Sequence, residues 1–196
     1  MKGTVFVFAR VPRLGTVKRR LACDVGDRAA LRFHKVMLRR LLRALARERR
    51  FATVIAATPD RARARWPVRL PVIGQGHGDL GARMAGALAR GRRTVVVGCD
   101  IPDLTAGDIH AAFRALGRAD AVFGPAEDGG YWLVGFGPRR PARPFANVRW
   151  STEHALADTL ANFRGFRVAL LRRLSDVDDV TSWRAATAQG GEMRSG

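Results

Sequence analysis

The chemically informative side chains of this sequence are acids that follow predicted strands and cations that follow the first of them. In Thr94-Val-Val-Val-Gly-Cys-Asp-Ile-Pro-Asp-Leu104 a β-branched run stops at Gly98, and Asp100 comes almost at once. Open α/β sheets bind ligands in the crevice outside the carboxyl ends of their strands, which is where such a carboxylate would lie. On this stretch alone Asp100 and Asp103 read equally well as turn and cap residues, a frequent use of Asp. Glu127 and Asp128 follow a later strand, in Gly124-Pro-Ala-Glu-Asp-Gly-Gly-Tyr-Trp132. There Gly129 and Gly130 suit a turn, and Tyr131 and Trp132 offer ring faces to a base or sugar. Trp150-Ser151-Thr152 adds an aromatic, and Asp176-Val-Asp178-Asp179 a late acidic cluster.

The cations are in Arg10-Val-Pro-Arg-Leu-Gly-Thr-Val-Lys-Arg-Arg-Leu21, directly after the first strand. Gly15 allows close backbone approach to a ligand, and Lys18 and Arg20 can meet phosphate oxygens. Singly, each group is explained as a cap, a turn or a solvated loop. As a set, a cationic loop and two acidic clusters at strand ends suit a metal-bound phosphate ligand. Hard Mg²⁺ or Mn²⁺ takes carboxylates plus phosphate oxygens and offsets charge as a pyrophosphate leaves. There is no His/Cys cluster with zinc spacing, no Walker A sequence and no G-x-S-x-G elbow.

Gly76-His-Gly-Asp-Leu-Gly81 matches the dinucleotide fingerprint, with Asp100 about twenty residues on. Two features count against an NAD(P) site. Asp79 would put a negative charge at the helix N-terminus where a pyrophosphate should sit. The motif also follows the third predicted strand, whereas the fingerprint normally follows the first. The plainer reading is that Asp79 caps a helix and pairs with Arg83 one turn on.

Alternating elements must position these groups. Strands are predicted at 3–9, 52–58, 68–73, around 94–97, 119–124, 131–135 and 166–171. Helices are predicted at 28–50, after Pro59-Asp60, at 79–90, from the capping box of Thr105 and Asp108 to about 116, from Ser151 or Thr152, and through Trp183 from Asp178 or Asp179. In the long helix Phe33, Met37 and Leu41 form one apolar row beside Leu38, Leu42 and Leu45. This pattern predicts a three-layer α/β/α sandwich with a mainly parallel sheet, one domain over 1–188 and a disordered tail over 189–196.

The chain has 196 residues, 47% hydrophobic content and a net charge of +18, enough for one sizeable core. No apolar run is long enough to span a bilayer, no signal peptide is indicated, and two cysteines form no disulfide framework, so a cytoplasmic protein is expected. Residues 10–50 hold fourteen basic and three acidic side chains. Arg makes up 32 of the 35 basic residues, which suggests codon bias, and no aromatics are interleaved to stack bases. Nucleic acid is therefore not the expected partner.

At these residues the chain resembles DUF2064, a bacterial glycosyltransferase-like family of the nucleotide-diphospho-sugar transferase (GT-A type) superfamily. The resemblance rests on Pro12 to Leu21, Gln75-Gly-x-Gly-Asp-Leu-Gly-x-Arg-Met84, Gly98-x-Asp-x-Pro-x-Leu104, Gly124-Pro-x-x-Asp-Gly-Gly-Tyr131, Trp150-Ser-Thr152 and Asp176-Val-Asp178. Two pieces depart from the family's form. Its Pro-x-Pro-Gly is here Pro12-Arg-Leu14-Gly15, and its Lys-Thr-Arg-Leu is Lys18-Arg-Arg-Leu21.

The resemblance implies a GT-A-like fold with a nucleotide pocket at the sheet edge. It also implies a transferase using a nucleotide-sugar or a nucleoside triphosphate, with an unidentified small-molecule acceptor. Glycosyl transfer is the first expectation and guanylyltransferase-like nucleotidyl transfer to a phosphorylated acceptor the second. On this reading Arg10, Gly15, Lys18 and Arg20 hold phosphates, with Lys18 and Asp100 catalytic. Gln75, His77, Asp79, Arg83, Asp128, Gly129, Gly130, Tyr131, Trp150 and Ser151 line the nucleotide or acceptor site. Asp100 binds Mg²⁺ or Mn²⁺ with Asp128 or Asp178. An NAD(P)-binding oxidoreductase and a non-catalytic nucleotide- or nucleic-acid-binding protein remain as readings of another class.

Overall fold

The computed structural model describes residues 2–60, 64–177 and 179–189, with side chains through Arg184. The elements run β1 (Thr4–Arg10), α1 (Arg19–Val25), α2 (Asp27–Ala46), β2 (Ala52–Thr58), β3 (Val72–Gly74), α3 (Leu80–Leu88), β4 (Thr94–Val97) and α4 (Ala106–Ala115). They continue with β5 (Ala121–Pro125), β6 (Tyr131–Phe136), α5 (Ala155–Ala161), β7 (Val168–Leu170) and α6 (Val180–Gln189). The strands form one seven-stranded sheet in the order β3-β2-β1-β4-β6-β5-β7. All pairings are parallel except the two made by β6, which runs antiparallel to β4 and β5. This is the mainly parallel α/β/α sandwich that the alternation of elements predicts.

The two-residue period of the strands splits the core into two layers. From β1 and β4, Val5, Val7, Val95 and Val97 face α2 and α4, where they meet Leu38, Leu42 and Ile109. Phe6 and Val96 face the other way, onto Met84 and Leu88 of α3 and onto Phe163. The double apolar row of α2 is buried as its spacing requires: Leu38, Leu42 and Leu45 are each 2% exposed or less. Each such leucine contributes roughly 2 kcal/mol relative to an exposed one.

Three predicted elements are revised. Residues 64–71 carry no helix, and 61–63 lie outside the described residues. Asp60, read as a helix opener, instead accepts a hydrogen bond from the Gly76 N–H at 2.9 Å. The strand predicted from Val68 begins only at Val72, because Pro67 and Pro71 have no N–H to give a ladder. Arg19–Val25, to which the sequence pattern assigns no element, is the short helix α1. Gln189, expected to open a disordered tail, closes α6; residues 190–196 lie outside the described residues.

Candidate functional site

The chain runs β1, β2, β3 outward along one side of the sheet and then returns to place β4 on the other side of β1. The carboxyl ends of β1 and β4 therefore flank the topological switch point, where the following loops part and leave a crevice. Lys18 comes from the loop after β1 and Asp100 from the loop after β4. Across the crevice Lys18 Nζ donates to Asp100 Oδ2 at 2.6 Å. The Lys18 side chain is 6% exposed and that of Asp100 33%. Lys18 is the N-cap of α1 and adopts left-handed backbone angles, φ 48° and ψ 50°. For a residue with a Cβ this conformation is uncommon and costs about 1 kcal/mol. Strain of this kind persists where the surroundings over-determine a position, as functional sites do.

A pocket of about 250 Å³ opens beside this pair. Its walls are Phe8 of β1, Leu80 and Met84 of α3, Tyr131–Val134 of β6, and the Trp150–Thr152 turn, with Asp100, Asp128 and Asp176 among its polar groups. Asp128 Oδ1 accepts from the Gly130 N–H at 2.8 Å, which closes the turn between β5 and β6. Gly129 has φ +83°, and a Cβ there would lie 2.1 Å from the carbonyl oxygen of Glu153. Its own carbonyl accepts from the Leu156 N–H at 3.0 Å, so the acidic turn is pressed onto the start of α5. Ser151, on the opposite wall, also has positive φ, at 60°.

Burial shapes the protonation of two neighbours. It pushes the Cys99 thiol up to about 12, with the Asp100 charge adding to the effect. It also raises the Tyr131 phenol, against the opposing hydrogen bond between its hydroxyl and that of Thr159. Both groups are neutral at physiological pH.

The structure brings together Asp100, Asp128, Gly130, Tyr131, Trp150 and Ser151 around this pocket, with Lys18 at its edge. Arg10 is the last residue of β1 and is exposed, and Gly15 follows in the β1–α1 connection. Arg20 is on α1, where its charge contributes to lowering Asp179, after the hydrogen bonds from Ser182. Asp178 lies outside the described residues.

The 75–83 stretch is used differently. Gln75 donates to the Ala56 carbonyl at 2.9 Å, Asp79 caps α3 through the Ala82 N–H at 2.8 Å, and Arg83 braces the Gly78 carbonyl at 2.9 Å. None of these, nor exposed His77, lines the pocket. The expected Asp79–Arg83 side-chain pairing gives way to this backbone contact. Gly81 has a packing role, since a Cβ there would come within 2.8 Å of the Trp150 ring. The apparent dinucleotide fingerprint thus follows edge strand β3, away from the switch point, and opens a helix whose N-terminus Asp79 already occupies.

Leu80, Met84 and Asp176 are among the wall residues that escape notice in the sequence. Leu80 and Met84 read as ordinary apolar helix positions. Asp176 belongs to a visible acidic cluster, but Asp178 is the member singled out there. Its signal was the buried Val177, which anchors the strip beside Asp100 through a 3.2 Å hydrogen bond to the Asp100 carbonyl.

Residues 37–152 match the family described as "Uncharacterized protein conserved in bacteria (DUF2064)". The chain belongs to this family. No curated protein matches the sequence. Among solved structures, the DUF2064 chain is similar to a Desulfovibrio desulfuricans protein with a provisional assignment as a nucleotide-diphospho-sugar transferase. The two are 28% identical, with a TM-score of 0.88 over 99% of this chain and 90% of that one. It is also similar to 4-diphosphocytidyl-2C-methyl-D-erythritol synthase of Anaerococcus prevotii, at 10% identity and TM-score 0.57, over 96% of this chain and 97% of that one. A third similar structure is the Rv0371c protein of Mycobacterium tuberculosis in complex with manganese, at 13% identity and TM-score 0.55, covering 97% of this chain and all of that one. The last two establish the fold alone, which is that of nucleotide-diphospho-sugar transferases.

No helix among the described residues is long and apolar enough to cross a membrane.

Proposed function

We propose that this DUF2064 protein is a metal-dependent transferase that uses a nucleotide-sugar and acts as a glycosyltransferase. The observation that carries the reading is the Lys18–Asp100 pair across the switch point, a cation and an acid held where a nucleotide diphosphate enters folds of this kind. Support also comes from the 28% identical Desulfovibrio protein, which covers the whole length of this chain.

In this reading the Lys18 ammonium meets phosphate oxygens of the donor, and Arg10 at the end of β1 and Arg20 in the first turn of α1 add positive charge on either side of that connection. The acceptor lies in the pocket. Its hydroxyl oxygen forms a bond to the anomeric carbon of the donor sugar, and the bond from that carbon to the nucleoside diphosphate breaks. The hydroxyl proton passes to Asp128 or Asp176. Positioning and charge stabilisation supply most of the acceleration.

The donor chemistry of the residues fits Mg²⁺ or Mn²⁺: among the described residues the pocket offers carboxylate oxygens and no imidazole or thiolate. Among the described residues no three such ligands are already grouped. That agrees with a cation held by one or two carboxylates plus substrate phosphates. Asp100 would hold it, with Asp128 or Asp176 as second ligand, and when bound it would neutralise charge on the departing diphosphate.

The test is a thermal-shift panel of nucleoside triphosphates, UDP- and GDP-sugars and NAD(P), each with and without Mn²⁺. A ligand that binds the folded state alone raises the melting point. The proposal expects a shift with a nucleotide-sugar that needs Mn²⁺. A shift with NAD(P) alone would overturn it. A shift with a triphosphate and no nucleotide-sugar would favour nucleotidyl transfer instead.

A further inference from the structure

A second cavity, of about 540 Å³, opens on the α2 side of the sheet. Its wall takes Lys35 and Arg39 from α2, Arg13 from the β1–α1 connection and Arg65 from the β2–β3 connection. All four side chains are exposed. Leu38 and the half-buried Trp66 give it an apolar part, where Trp66 packs on the core cluster that holds Leu38. The cavity shares no lining residue with the pocket beside Asp100.

Elsewhere in the structure arginines are matched by an acid. Asp120 takes Arg139 and Arg167, Asp158 takes Arg149, and Asp108 takes Arg172. Here, among the described residues, no acid lines the cavity and none of the four cations has an ion-pair partner. From Arg28 to Arg47 the sequence holds no acid at all. Lys35 and Arg39, one helical turn apart, therefore repel each other with nothing between them to offset it.

We infer that this cavity is a second ligand site, for a small soluble compound carrying two or more phosphoryl groups. The inference does not depend on the transferase reading. A cleft lined by one sign of charge focuses its field and concentrates counter-ions. The apolar part lowers the local dielectric, so each cation attracts a phosphate more strongly than on an open face. Three of the four cations are arginines, one from each segment, and arginine grips phosphate oxygens in pairs. Linked phosphoryl groups can engage more than one segment at once, which a single phosphate cannot. A membrane or a nucleic acid would meet charge along the whole exposed face of α2 and gain little from the concavity.

The test is isothermal titration of inorganic tripolyphosphate and of orthophosphate into the full chain, in EDTA and without nucleotide. Saturable binding of tripolyphosphate is expected, tighter than orthophosphate by about tenfold or more. Lys35→Glu/Arg39→Glu should weaken it about tenfold or more, and Arg65→Gln, on another segment, about threefold or more. Arg28→Glu/Arg47→Glu makes the same change of charge on the same helix, about 10 Å away. That exceeds the screening length of about 8 Å at physiological salt, so affinity should stay within about twofold. Equal loss in the two double variants would reduce the effect to diffuse surface charge and overturn the inference. Binding lost in Lys18→Met but kept in Lys35→Glu/Arg39→Glu would place the anion at the β1–α1 loop and overturn it too, whatever the nucleotide panel shows. So would absence of saturable tripolyphosphate binding. If vesicles of phosphatidylcholine and phosphatidic acid then cosedimented with the protein through Lys35 and Arg39, the site would belong to a lipid headgroup instead.

Discussion

Lys18 and Asp100 are 82 residues apart in sequence, and their side chains meet at 2.6 Å across the crevice between the loops that follow β1 and β4. Neither strand makes the site alone. β1 contributes the loop that carries the cation, β4 the acid, and the return of the chain past β1 sets them face to face. A ligand with clustered negative charge can take the ammonium, and a divalent cation can take the carboxylate, without rebuilding either loop.

Lys18→Met separates function from stability at this pair. The Asp100 side chain is a third exposed, so solvent can take over when its partner is lost, and folding stability should change by less than about 1 kcal/mol. Nucleotide-sugar affinity should fall about tenfold or more, because one charge-assisted contact to phosphate is gone. Urea unfolding and a nucleotide titration on the same variant measure the two effects; unchanged affinity would remove Lys18 from the site.

The fold was legible where one kind of residue pattern dominated. The β-branched runs give β2 and β4 their bounds, and the apolar rows of α2 could only be one buried face. Asp100 was legible for the same reason, as the first acid after a strand that could not be anything else. Other features needed tertiary information. α1 has seven residues, no side-chain cap and a left-handed Lys18 at its start, so no local signal marks it. Leu80 and Met84 line the pocket because Gly81 lets α3 approach Trp150, a relation between residues far apart in the chain.

Gly129→Ala tests whether the acidic turn is held by the close approach to Glu153. A methyl group there meets a carbonyl oxygen 2.1 Å away and requires positive φ. The backbone conformation alone costs about 1 kcal/mol, and with the forced shift the loss should be about 2 kcal/mol or more. A melting temperature equal to the wild type would show that the turn can move freely.

The two thiols should differ sharply. Cys23 is exposed and Cys99 buried, and Cys99 is pushed up to about 12 by burial and the nearby Asp100 charge. At pH 8 its thiolate fraction is on the order of one in ten thousand. A chromogenic disulfide reagent should titrate one thiol per chain in the native protein and two in denaturant. Two fast-reacting native thiols would contradict the buried position of Cys99.

His34 supplies a pH dependence with a definite sign. Burial lowers its pKa from 6.5, partly offset by the 3.1 Å hydrogen bond to the Arg10 carbonyl. Between the folded value and 6.5 the unfolded chain binds more protons, so stability rises with pH there. Its contribution is complete above about 6.5 and is lost as pH falls through the folded value. Urea midpoints between pH 5 and 8 should fall toward the acid end in the wild type, and less steeply in His34→Gln. Parallel profiles for the two proteins would exclude His34 as the cause.

The central claim is that Asp100 holds a divalent cation which a nucleotide-sugar shares. Isothermal titration of UDP- and GDP-sugars into wild type and Asp100→Asn, each with and without Mn²⁺, tests it most directly. The account predicts Mn²⁺-dependent binding to the wild type and a loss of about a hundredfold in Asp100→Asn, the scale seen when a metal ligand or its close support is removed. Equal, Mn²⁺-dependent affinity in both proteins would contradict it.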